Sequence, residues 1–486
     1  MAAVGAGAAA AAKRPNILFV MVDEMRWDVM GCAGHPMVKT PNLDRLAQQG
    51  VRFHSCYTVS PVCSPARASA FSGRHAHVHG VTTNGMPAHT GEIFLPSILQ
   101  HYGYHTAICG KLHFRPVQEA YGFDEFYSFS AEGPTPEKGH TAYLRDKHQG
   151  GKWAAAPETR PWPDHPLGKD VGRFLYPKED FETEWLTQRS IDYLRSRQGK
   201  PQPWFLYTSY LKPHSPSVEP EPYFSMYDPA KVPVPKLPEV RPLSADDERH
   251  EMHDVEMQRR MTALYFGAVT HVDAEIGRLL GELDKLGMTG NTLIVFTADH
   301  GNMLGDRGRW FKGVHYDGSA RIPLLWRGVN GPKGRVVNTP VDNTDLLPSL
   351  LESAGLPVPA GVQGKSFLKL AAGADPGWKP RVFSQLNSGM VVEGDWKLID
   401  QSLDGSGPFE LYDRRHDPRE ERNLAAAQPA RLAALRKQLA EFRAERPAPM
   451  RIAGMPLPAY AKITEEQRSK IGGEEVAAQR RQRKGR

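Results

Sequence analysis

Residues 15–23, PNILFVMVD, form a nearly continuous apolar run that ends on the acid Asp23. A run of this kind predicts a strand buried on both faces, as in the centre of a parallel sheet. Residues 291–301, NTLIVFTADHG, repeat the pattern and carry Asp299 and His300 at the end. Ligands of such sheets bind beyond the carboxyl ends of the strands, so we expect these acids to lie at the same functional edge.

The segments around these two runs alternate between helix and strand patterns. The stretch KTPNLDRLAQQG (39–50) predicts a helix with Thr40 as its N-cap and Gly50 as its stop. The alternation predicts an α/β fold with a doubly wound sheet. Further elements are predicted as strands in VRFHSCYTV (51–59) and PWFLYTSYLKPHSP (203–216), and as a long amphipathic helix over about 255–286.

The sequence pattern changes after GKSFLKLAAG (364–373). Short strand patterns separated by turns follow, in RVFSQL, GMVVEGDWKLID and FELYD, and one helix is predicted over 428–445. This pattern is typical of a smaller α+β unit with an antiparallel sheet. We therefore predict a main α/β domain over 13–373, an α+β subdomain over 374–446 and an extension with a basic tail over 447–486.

Composition and charge favour a soluble globular enzyme. The 486 residues are 40% hydrophobic and 24% charged. The formal charge is +6, but the last seven residues, RRQRKGR, contribute five positive charges and no acid, so nucleic-acid binding is not predicted. The tail itself is expected to be solvated, with an interaction role as the alternative. No run of 18 apolar residues occurs, and no membrane association is expected.

The four cysteines, Cys32, Cys56, Cys63 and Cys109, form neither a CxxC pair nor a zinc-ligand series. They are also too few to stabilise a chain of this length by disulfides. The alanine-rich N-terminus, MAAVGAGAAAAAKRPN, places its cations after the small residues, which is a poor pattern for a secretory signal. We expect a cytoplasmic protein, with a periplasmic or secreted location left open.

The acids at the strand ends are candidate metal ligands. Asp23, Asp299 and His300 would offer two carboxylates and an imidazole, and oxygen-rich sites suit hard ions such as Ca²⁺ or Mg²⁺. A single aspartate after a strand is more often a helix cap or a turn residue, so spacing alone leaves that alternative open.

The stretch SPVCSPARASAFSGRH (60–75) contains an unpaired cysteine at the predicted start of a helix. Cys63 precedes Ser64 and Pro65, and Arg67 and Arg74 follow it. A helix N-terminus and nearby arginines would stabilise a thiolate or a bound oxyanion. The alternative is that Cys63 is a small buried hydrophobic residue.

Several motifs, taken together, resemble those of one family. CSPAR followed by SGR resembles the signature of type I sulfatases, and GYHTAICGKLH (103–113) resembles a second conserved element of that family. KPH (212–214), TADHG (297–301) and LYDRRHDPREERNLA (411–425) follow in the family's order. The resemblance implies an alkaline-phosphatase-like fold, with a mixed, mostly parallel sheet flanked by helices and a smaller C-terminal α+β domain.

The resemblance also implies roles for individual residues. Cys63 would be converted to formylglycine, whose hydrate attacks the sulfur of a sulfate monoester. A divalent metal would be present, Ca²⁺ by first expectation, with Mg²⁺ or Mn²⁺ open. Glu24 departs from the family, in which many members have a second ligating Asp, so its ligation stays open. The implied residues are Asp23, Cys63, Asp299 and His300 for the metal, Arg67 for the hydrate, Lys111, Lys312 and Asn84 for sulfate, and His113 and His214 for proton transfer.

Two other functions remain as alternatives. A phosphonate or phosphodiester monoester hydrolase shares the fold, the formylglycine and the metal, but such relatives tend to carry Tyr and Thr in place of Lys111 and His113. A binding protein with an unmodified Cys63 is the alternative from another class. The expected partners are a small-molecule or oligosaccharide sulfate ester and a formylglycine-generating enzyme, and homo-oligomerisation is open. A sulfated carbohydrate is the expected substrate, with choline sulfate or an aryl sulfate open.

Structural roles are favoured for several other histidine and aromatic residues and for two long segments. His75, His77 and His79 could suggest a metal cluster, but loop packing and contacts at the edge of the substrate site are favoured because no acid accompanies them. Trp310 and Phe311 are expected to pack in a loop rather than to stack on a sugar. The segments 130–180 and 217–240 are expected to be irregular loops that shape the substrate pocket.

Overall fold

The computed structural model describes residues 14–130, 132–148, 171–235, 255–374, 377–378 and 380–484. The strands within these ranges are β1 (Asn16–Asp23), β2 (Val51–Tyr57), β3 (His105–Gly110), β4 (Glu125–Ser128), β5 (Val171–Arg173), β6 (Trp204–Pro213), β7 (Ser217–Glu219), β8 (Thr292–Ala298), β9 (Arg321–Arg327), β10 (Arg335–Val337), β11 (Val341–Asp342), β12 (Arg381–Gln385), β13 (Gly389–Glu393), β14 (Trp396–Asp400) and β15 (Phe409–Asp413).

The helices of the same ranges are α1 (Pro41–Gln49), α2 (Cys63–Ser72), α3 (Ala76–His79), α4 (Leu95–His101), α5 (His140–Lys147), α6 (Glu182–Arg197), α7 (Val255–Lys285), α8 (Asp317–Ala320), α9 (Leu346–Ser353), α10 (Leu368–Ala372), α11 (Pro429–Ala444) and α12 (Glu465–Lys484). Among the described residues, none of these helices combines the length and the apolar character needed to cross a membrane.

The main sheet has the mixed, mostly parallel architecture that the sequence predicts. Its strand order is β10-β2-β9-β8-β1-β6-β3-β4, and β11 pairs with β2. Strand β1 lies in the centre and pairs in parallel with β6 and β8, while β9 runs antiparallel to both of its neighbours. Because Val22 is in register with Ala298, the residues that follow, Asp23 and Asp299, emerge at the same edge. The predicted juxtaposition of the two acids is therefore confirmed.

Two groups of helices flank this sheet. In one group α7 contacts α1 and α6, and in the other α2 contacts α4 and α9. All but the first residue of β1 is buried, which is why its sequence shows no polar alternation. This arrangement agrees with the predicted doubly wound sheet.

The N-terminus of α1 is capped differently from the prediction. Thr40 occupies the N-cap position, but its hydroxyl donates to Asp44 and accepts the N–H of Gly31 instead of capping α1. The Asp273 carboxylate, from the middle of α7, accepts the N–H groups of Asn42 (3.2 Å) and Leu43 (2.8 Å). A carboxylate accepts hydrogen bonds from the free N–H groups and interacts favourably with the positive end of the helix dipole. Asp273, and not Thr40, therefore caps α1.

The C-terminal sheet is antiparallel, with the order β12-β13-β14-β15, as predicted. One face packs against α11 through Leu398, Leu435 and Phe442. The other face packs against the main domain, where Ile399 and Tyr57 belong to one buried cluster. The predicted domain boundaries at 373 and 446 stay predictions.

The extension after α11 folds back on the main domain. Tyr460 is buried, and its hydroxyl accepts the N–H of Phe94 at 3.1 Å and lies 2.9 Å from the hydroxyl of Ser97. Arg468, in α12, donates to the carbonyls of Gly80 (2.6 Å) and Pro87 (3.0 Å). The side chains of the predicted basic tail, 480–486, lie outside the described part of the structure.

The described parts of the two segments predicted as irregular loops contain regular secondary structure. The first contains α5 and β5, and the second contains β7, which pairs in parallel with β5. These elements escaped prediction because two three-residue strands are too short for a visible alternation, and α5 is too polar for a clear apolar face. Residues 131, 149–170 and 236–240 of these segments lie outside the described residues.

Candidate active site

Cys63 is the first residue of α2 and is buried. The helix N-terminus around it is held from two sides. Asn84 Oδ1 accepts the backbone N–H of Ser64 at 2.9 Å, and the Ser64 hydroxyl donates to the carbonyl of His113 at 2.7 Å. The chain elements that carry Asn84 and His113 are thereby fastened next to Cys63, where the N-terminus of α2 favours negative charge.

Four predicted metal ligands converge on one point. The Cys63 Sγ lies 3.2 Å from His300 Nε2 and 3.6 Å from Asp23 Oδ1. His300 Nε2 lies 3.5 Å from Asp23 Oδ1 and 3.6 Å from Asp299 Oδ1. All four side chains are buried, and their ligand atoms lie within 4.8 Å of one another.

These separations fit a bound divalent cation. Ligand atoms at about 2.3 Å from an ion lie roughly 3–4 Å from one another around it. The carboxylate oxygens and the imidazole are donors that divalent metals accept, and a buried pair of carboxylates needs compensating positive charge. The donor set and its spacing therefore support the predicted metal centre.

Arg67 lies behind this centre and is fully buried. Its Nε donates to Asp299 Oδ2 at 2.9 Å, and one terminal nitrogen lies 3.3 Å from Asp23 Oδ2. The other terminal nitrogen donates to the Tyr207 hydroxyl (2.9 Å), the Ser209 hydroxyl (2.7 Å) and a carbonyl. Although burial would lower the pKa of Arg67, Tyr207, Asp299 and Asp23 raise it, so the guanidinium stays charged.

Arg67 therefore holds the carboxylates of Asp23 and Asp299 in place, in addition to its predicted contact with the formylglycine hydrate. Tyr207 and Ser209 were not anticipated from the sequence. Both lie on β6, the strand beside β1, so the predicted sheet order could have indicated them.

Two lysines approach Cys63 from separate chain segments. Lys111 Nζ lies 2.5 Å from Asp23 Oδ2, and Lys312 Nζ lies 3.4 Å from Cys63 Sγ. Burial raises the pKa of the Cys63 thiol, but Lys111, Lys312 and His300 outweigh it and hold that pKa well below its usual value. Burial and Cys63 likewise raise the pKa of Asp23, and the two lysines and His214 lower it overall. The site as a whole is built to hold negative charge.

The two predicted proton-transfer histidines also reach this site. His214 Nε2 lies 3.3 Å from Glu24 Oε2, and its Nδ1 lies 2.5 Å from the carbonyl of Ser215. His113 lies close enough to Cys63 to contribute to the low pKa of that thiol. The backbone N–H of His113 donates to Glu132 Oε2 at 3.1 Å, so Glu132 fixes this segment. Nothing in the local sequence singled out Glu132.

Glu24, whose role the sequence left open, makes three contacts. Its Oε1 accepts from Asn302 Nδ2 at 2.8 Å, and its Oε2 lies near both Lys312 Nζ (3.1 Å) and His214 Nε2 (3.3 Å). Glu24 also forms, with Asp23 and His214, a second group of side chains whose ligand atoms lie within 4.8 Å. It therefore connects Lys312 with His214, whether or not it contacts a metal.

Asn302 is a further residue that the sequence did not single out. Its Oδ1 accepts the N–H groups of Leu304 (2.9 Å) and Phe311 (3.1 Å), which closes the loop that leads to Lys312. Its position two residues after His300 was the available signal.

The three histidines of the segment GRHAHVHG, His75, His77 and His79, contact residues other than the predicted metal ligands. His75 and His77 pack edge-on against the ring of Phe442, with centroids 4.7 Å apart, and His79 Nε2 lies 2.9 Å from the hydroxyl of Ser69. These contacts agree with packing rather than with a metal cluster. Trp310 is buried, in agreement with the interpretation as loop packing.

Comparisons with known proteins give the family context of this site. The sequence model described as Sulfatase matches residues 15–356, and the model described as N-sulphoglucosamine sulphohydrolase, C-terminal, matches residues 305–445. The arylsulfatase of Clostridium perfringens is 30% identical over 453 residues, which cover 85% of this chain and 90% of the relative.

Two solved structures are similar over most of their length. The phosphonate monoester hydrolase SpPMH from Silicibacter pomeroyi has a TM-score of 0.76 at 26% identity, covering 88% of this chain and 95% of that one. The protein BT4656, solved in complex with its substrate D-glucosamine-2-N,6-O-disulfate, has a TM-score of 0.72 at 25% identity, covering 89% and 98%. The predicted fold is confirmed by these similarities.

Proposed function

This chain belongs to the sulfatase family, and we propose that it removes sulfate from a sulfated carbohydrate. Members of the family are sulfuric ester hydrolases, and the chain is one of them. The main support for this reaction is that Lys111, Lys312 and the buried candidate metal ligands lie together around Cys63. A sulfate ester is a resistant anion, and attack on it requires that positive charge neutralise its non-bridging oxygens.

The family implies a divalent metal and a formylglycine at the Cys63 position. Asp23, Asp299, His300 and the modified Cys63 would hold the metal, for which Ca²⁺ is our choice because two carboxylates make the set rich in oxygen. When present, the hydrated aldehyde and the metal supply an activated oxygen nucleophile and charge neutralisation. Maturation would require a formylglycine-generating enzyme.

The chain's own side chains do the remaining work. Lys312 and Lys111 would bind the sulfate oxygens, aided by Asn84, whose Nδ2 is not used in the contact with Ser64. His214 is placed to donate a proton to the departing alcohol oxygen, and His113 to take a proton near Cys63. Glu24, which lies beside both Lys312 and His214, would keep these two side chains facing one side of the substrate.

Two similarities support a carbohydrate as the carrier of the sulfate. The C-terminal match is to an N-sulphoglucosamine sulphohydrolase model, and BT4656 was solved with a disulfated glucosamine as its substrate. The arylsulfatase of Clostridium perfringens keeps an aryl ester as a second substrate class.

Phosphonate ester hydrolysis is the second candidate activity, because SpPMH has the same fold. Lys111 and His113 argue against it, since phosphonate hydrolases of this superfamily tend to carry Tyr and Thr there. The deciding experiment compares kcat/KM on 4-nitrophenyl sulfate, a phenyl phosphonate ester and a panel of sulfated mono- and disaccharides. We expect sulfate esters to be preferred and at least one sugar sulfate to be turned over. A clear preference for the phosphonate would overturn the proposal.

The cytoplasmic location, the maturation partner and the oligomeric state remain predictions. Each has a direct measurement: fractionation of cells that express the full chain, mass analysis after co-expression with the modifying enzyme, and sedimentation of the purified protein.

A further inference from the structure

His214 lies in a short loop between β6 and β7, and the side chain of Lys212 bridges the two ends of that loop. Lys212 is almost fully buried at the end of β6. Its Nζ donates to the carbonyl of Pro216 at 2.5 Å, so one side chain spans the residues that flank His214. A buried ammonium that binds a carbonyl four residues onward restricts the path that the intervening backbone can take.

Acidic groups hold this ammonium in place. Glu182 Oε1 and Glu219 Oε1 lie 3.7 Å and 3.8 Å from Lys212 Nζ, and the Phe181 ring lies 5.4 Å away. Both carboxylates are buried, and neither oxygen has another hydrogen-bond partner in the described part of the chain. Removal of this buried cation would take a compensating charge from both carboxylates, so the arrangement strongly favours Lys212 in this position.

The loop is anchored further through His271 of α7. Glu219 Oε2 lies 2.7 Å from His271 Nδ1, and His271 Nε2 lies 2.8 Å from Glu184 Oε1 on α6. The segment that carries His214 is thus tied at its base to two long helices of the main domain. The hydrogen bonds and ion pairs described for Lys212, Glu219, His271 and Glu184 do not include the predicted metal ligands.

The orientation of the His214 ring depends on this loop. Its backbone N–H donates to the carbonyl of Leu211, and its Nδ1 lies beside the carbonyl of Ser215, so both contacts are set by the local backbone. Only Nε2, near Glu24, faces the site. A shift of the loop would therefore move the proton donor directly.

We propose that Lys212 is a positioning residue that holds His214 in register to protonate the departing alcohol. This inference rests on the proposed function. In the step concerned, sulfur gains a bond to the attacking oxygen nucleophile and loses its bond to the ester oxygen. The electron pair of the broken bond stays on the ester oxygen, which takes the proton from His214 Nε2. A sugar alkoxide is a poor leaving group and needs this proton, whereas 4-nitrophenolate leaves without it.

The test compares two sulfate esters in the mature enzyme. For Lys212→Met, kcat on a sugar or alkyl sulfate is expected to fall about 10- to 100-fold, and kcat on 4-nitrophenyl sulfate less than about 3-fold. Lys212→Arg, which keeps the charge and a donor, should restore most of the loss. An equal loss on both esters, or no loss on either, would overturn the proposal.

A matched control is Lys397→Met, which removes another fully buried, ion-paired lysine far from His214 in the sequence. It should lower stability without changing the ratio of the two rates. If Lys212→Met does not fold, Glu219→Gln replaces it, and the same selective loss on the alkyl ester is expected.

Crystal structures give a readout that does not depend on turnover. In Lys212→Met, residues 213–216 should be displaced and the contact between His214 Nε2 and Glu24 Oε2 lost. An unchanged loop would refute the positioning role even if the wild type hydrolysed no sulfate ester. Failure of the wild type on every sulfate ester would instead count against the proposed function.

Discussion

The Sγ atom of Cys63 lies 3.2 Å from Nε2 of His300, although 237 positions separate the two residues in the sequence. The contact joins the N-terminus of α2 to the end of β8, and it makes Cys63 a member of the ligand group. Burial lowers the pKa of His300, but Asp299 and Cys63 raise it to about 9, so the imidazole responds to the charge on its neighbours. A chemical change at Cys63 is therefore expected to alter the predicted metal centre as well as the predicted nucleophile.

The first prediction concerns Cys63 itself. Cys63→Ala should abolish turnover and leave the fold intact, because the side chain is small and its loss removes the nucleophile. After co-expression with a formylglycine-generating enzyme, the peptide that contains residue 63 should have the lower mass expected when an aldehyde oxygen replaces the thiol. Cys56→Ala, a buried cysteine outside the ligand group, is the control and should retain activity. Turnover by Cys63→Ala would refute the site.

Metal binding should depend on His300. His300→Ala removes one of four ligand atoms, and calorimetric titration with Ca²⁺ should show affinity weakened by more than about 100-fold. Chelator treatment of the wild type should abolish activity, and added Ca²⁺ should restore it better than Mg²⁺ or Mn²⁺. His79→Ala, which removes a buried histidine that contacts Ser69, should bind the metal normally. Full Ca²⁺ affinity in His300→Ala would exclude this ligand set.

The interface between the two sheets should depend on Lys397. Its Nζ lies 2.7 Å from Asp317 Oδ1 and 2.5 Å from Glu420 Oε1, and it joins β14 to the start of α8. Lys397→Met removes the cation nearest to two buried carboxylates, although Arg321 and Arg414 still face Asp317, so the free energy of unfolding should fall by about 3–5 kcal/mol in urea titrations. Lys437→Met removes an exposed lysine of α11 and should change it by less than about 0.5 kcal/mol. Equal effects of the two variants would contradict this assignment.

The C-terminal extension should influence substrate binding through Arg468. Its bonds to Gly80 and Pro87 brace the segment that carries Asn84. Arg468→Met loses two charge-assisted hydrogen bonds, so KM for a sulfate ester should rise several-fold while kcat changes less. Lys470→Met, an exposed change on the same helix, serves as the control. Steady-state kinetics with unchanged KM in both variants would show that the extension has no part in binding.

Stability should fall between about pH 6.5 and 9 because of His271. Burial lowers the pKa of this imidazole, but Glu184 and Glu219 outweigh it and raise the pKa to about 9. The folded state then holds a proton that the unfolded state releases from about pH 6.5, so this stabilisation is present at lower pH and is lost as the pH rises through about 9. In the same cluster, burial raises the pKa of Glu182 to about 7 despite Lys212, which adds to the decline at the lower end.

The measurement is the free energy of unfolding from pH 6 to 9.5 for the wild type and for His271→Gln. The variant should lose the stabilisation that comes from His271. Between pH 6 and 9.5 its free energy of unfolding should therefore fall by on the order of 1–3 kcal/mol less than that of the wild type. Parallel curves would show that His271 is not charged in the folded protein.

Much of the fold followed from short-range patterns. The apolar run before Asp23 predicted the central strand, its repetition before Asp299 predicted the shared edge, and the alternating strands after residue 373 predicted the antiparallel sheet. These inferences succeed because burial on one or two faces leaves a periodic trace in the sequence itself.

The helix cap of α1 and the side-chain contacts that fix the site could not be predicted from such patterns. Asp273 caps α1 in place of Thr40, and Glu132 fixes the segment of His113, yet neither residue is near its partner in the sequence. A hydrogen bond between distant segments leaves no period, so only the folded arrangement reveals it.

By itself, the sequence determined the class of fold, the position of Cys63 at a helix start and the set of ionisable residues that could serve it. The tertiary structure alone decided which charges neutralise one another: Lys111 with Asp23, Lys312 with Glu24, and Lys212 with Glu219. Electrostatic interactions depend on separation in space and on burial, and neither quantity is written in the order of residues along the chain.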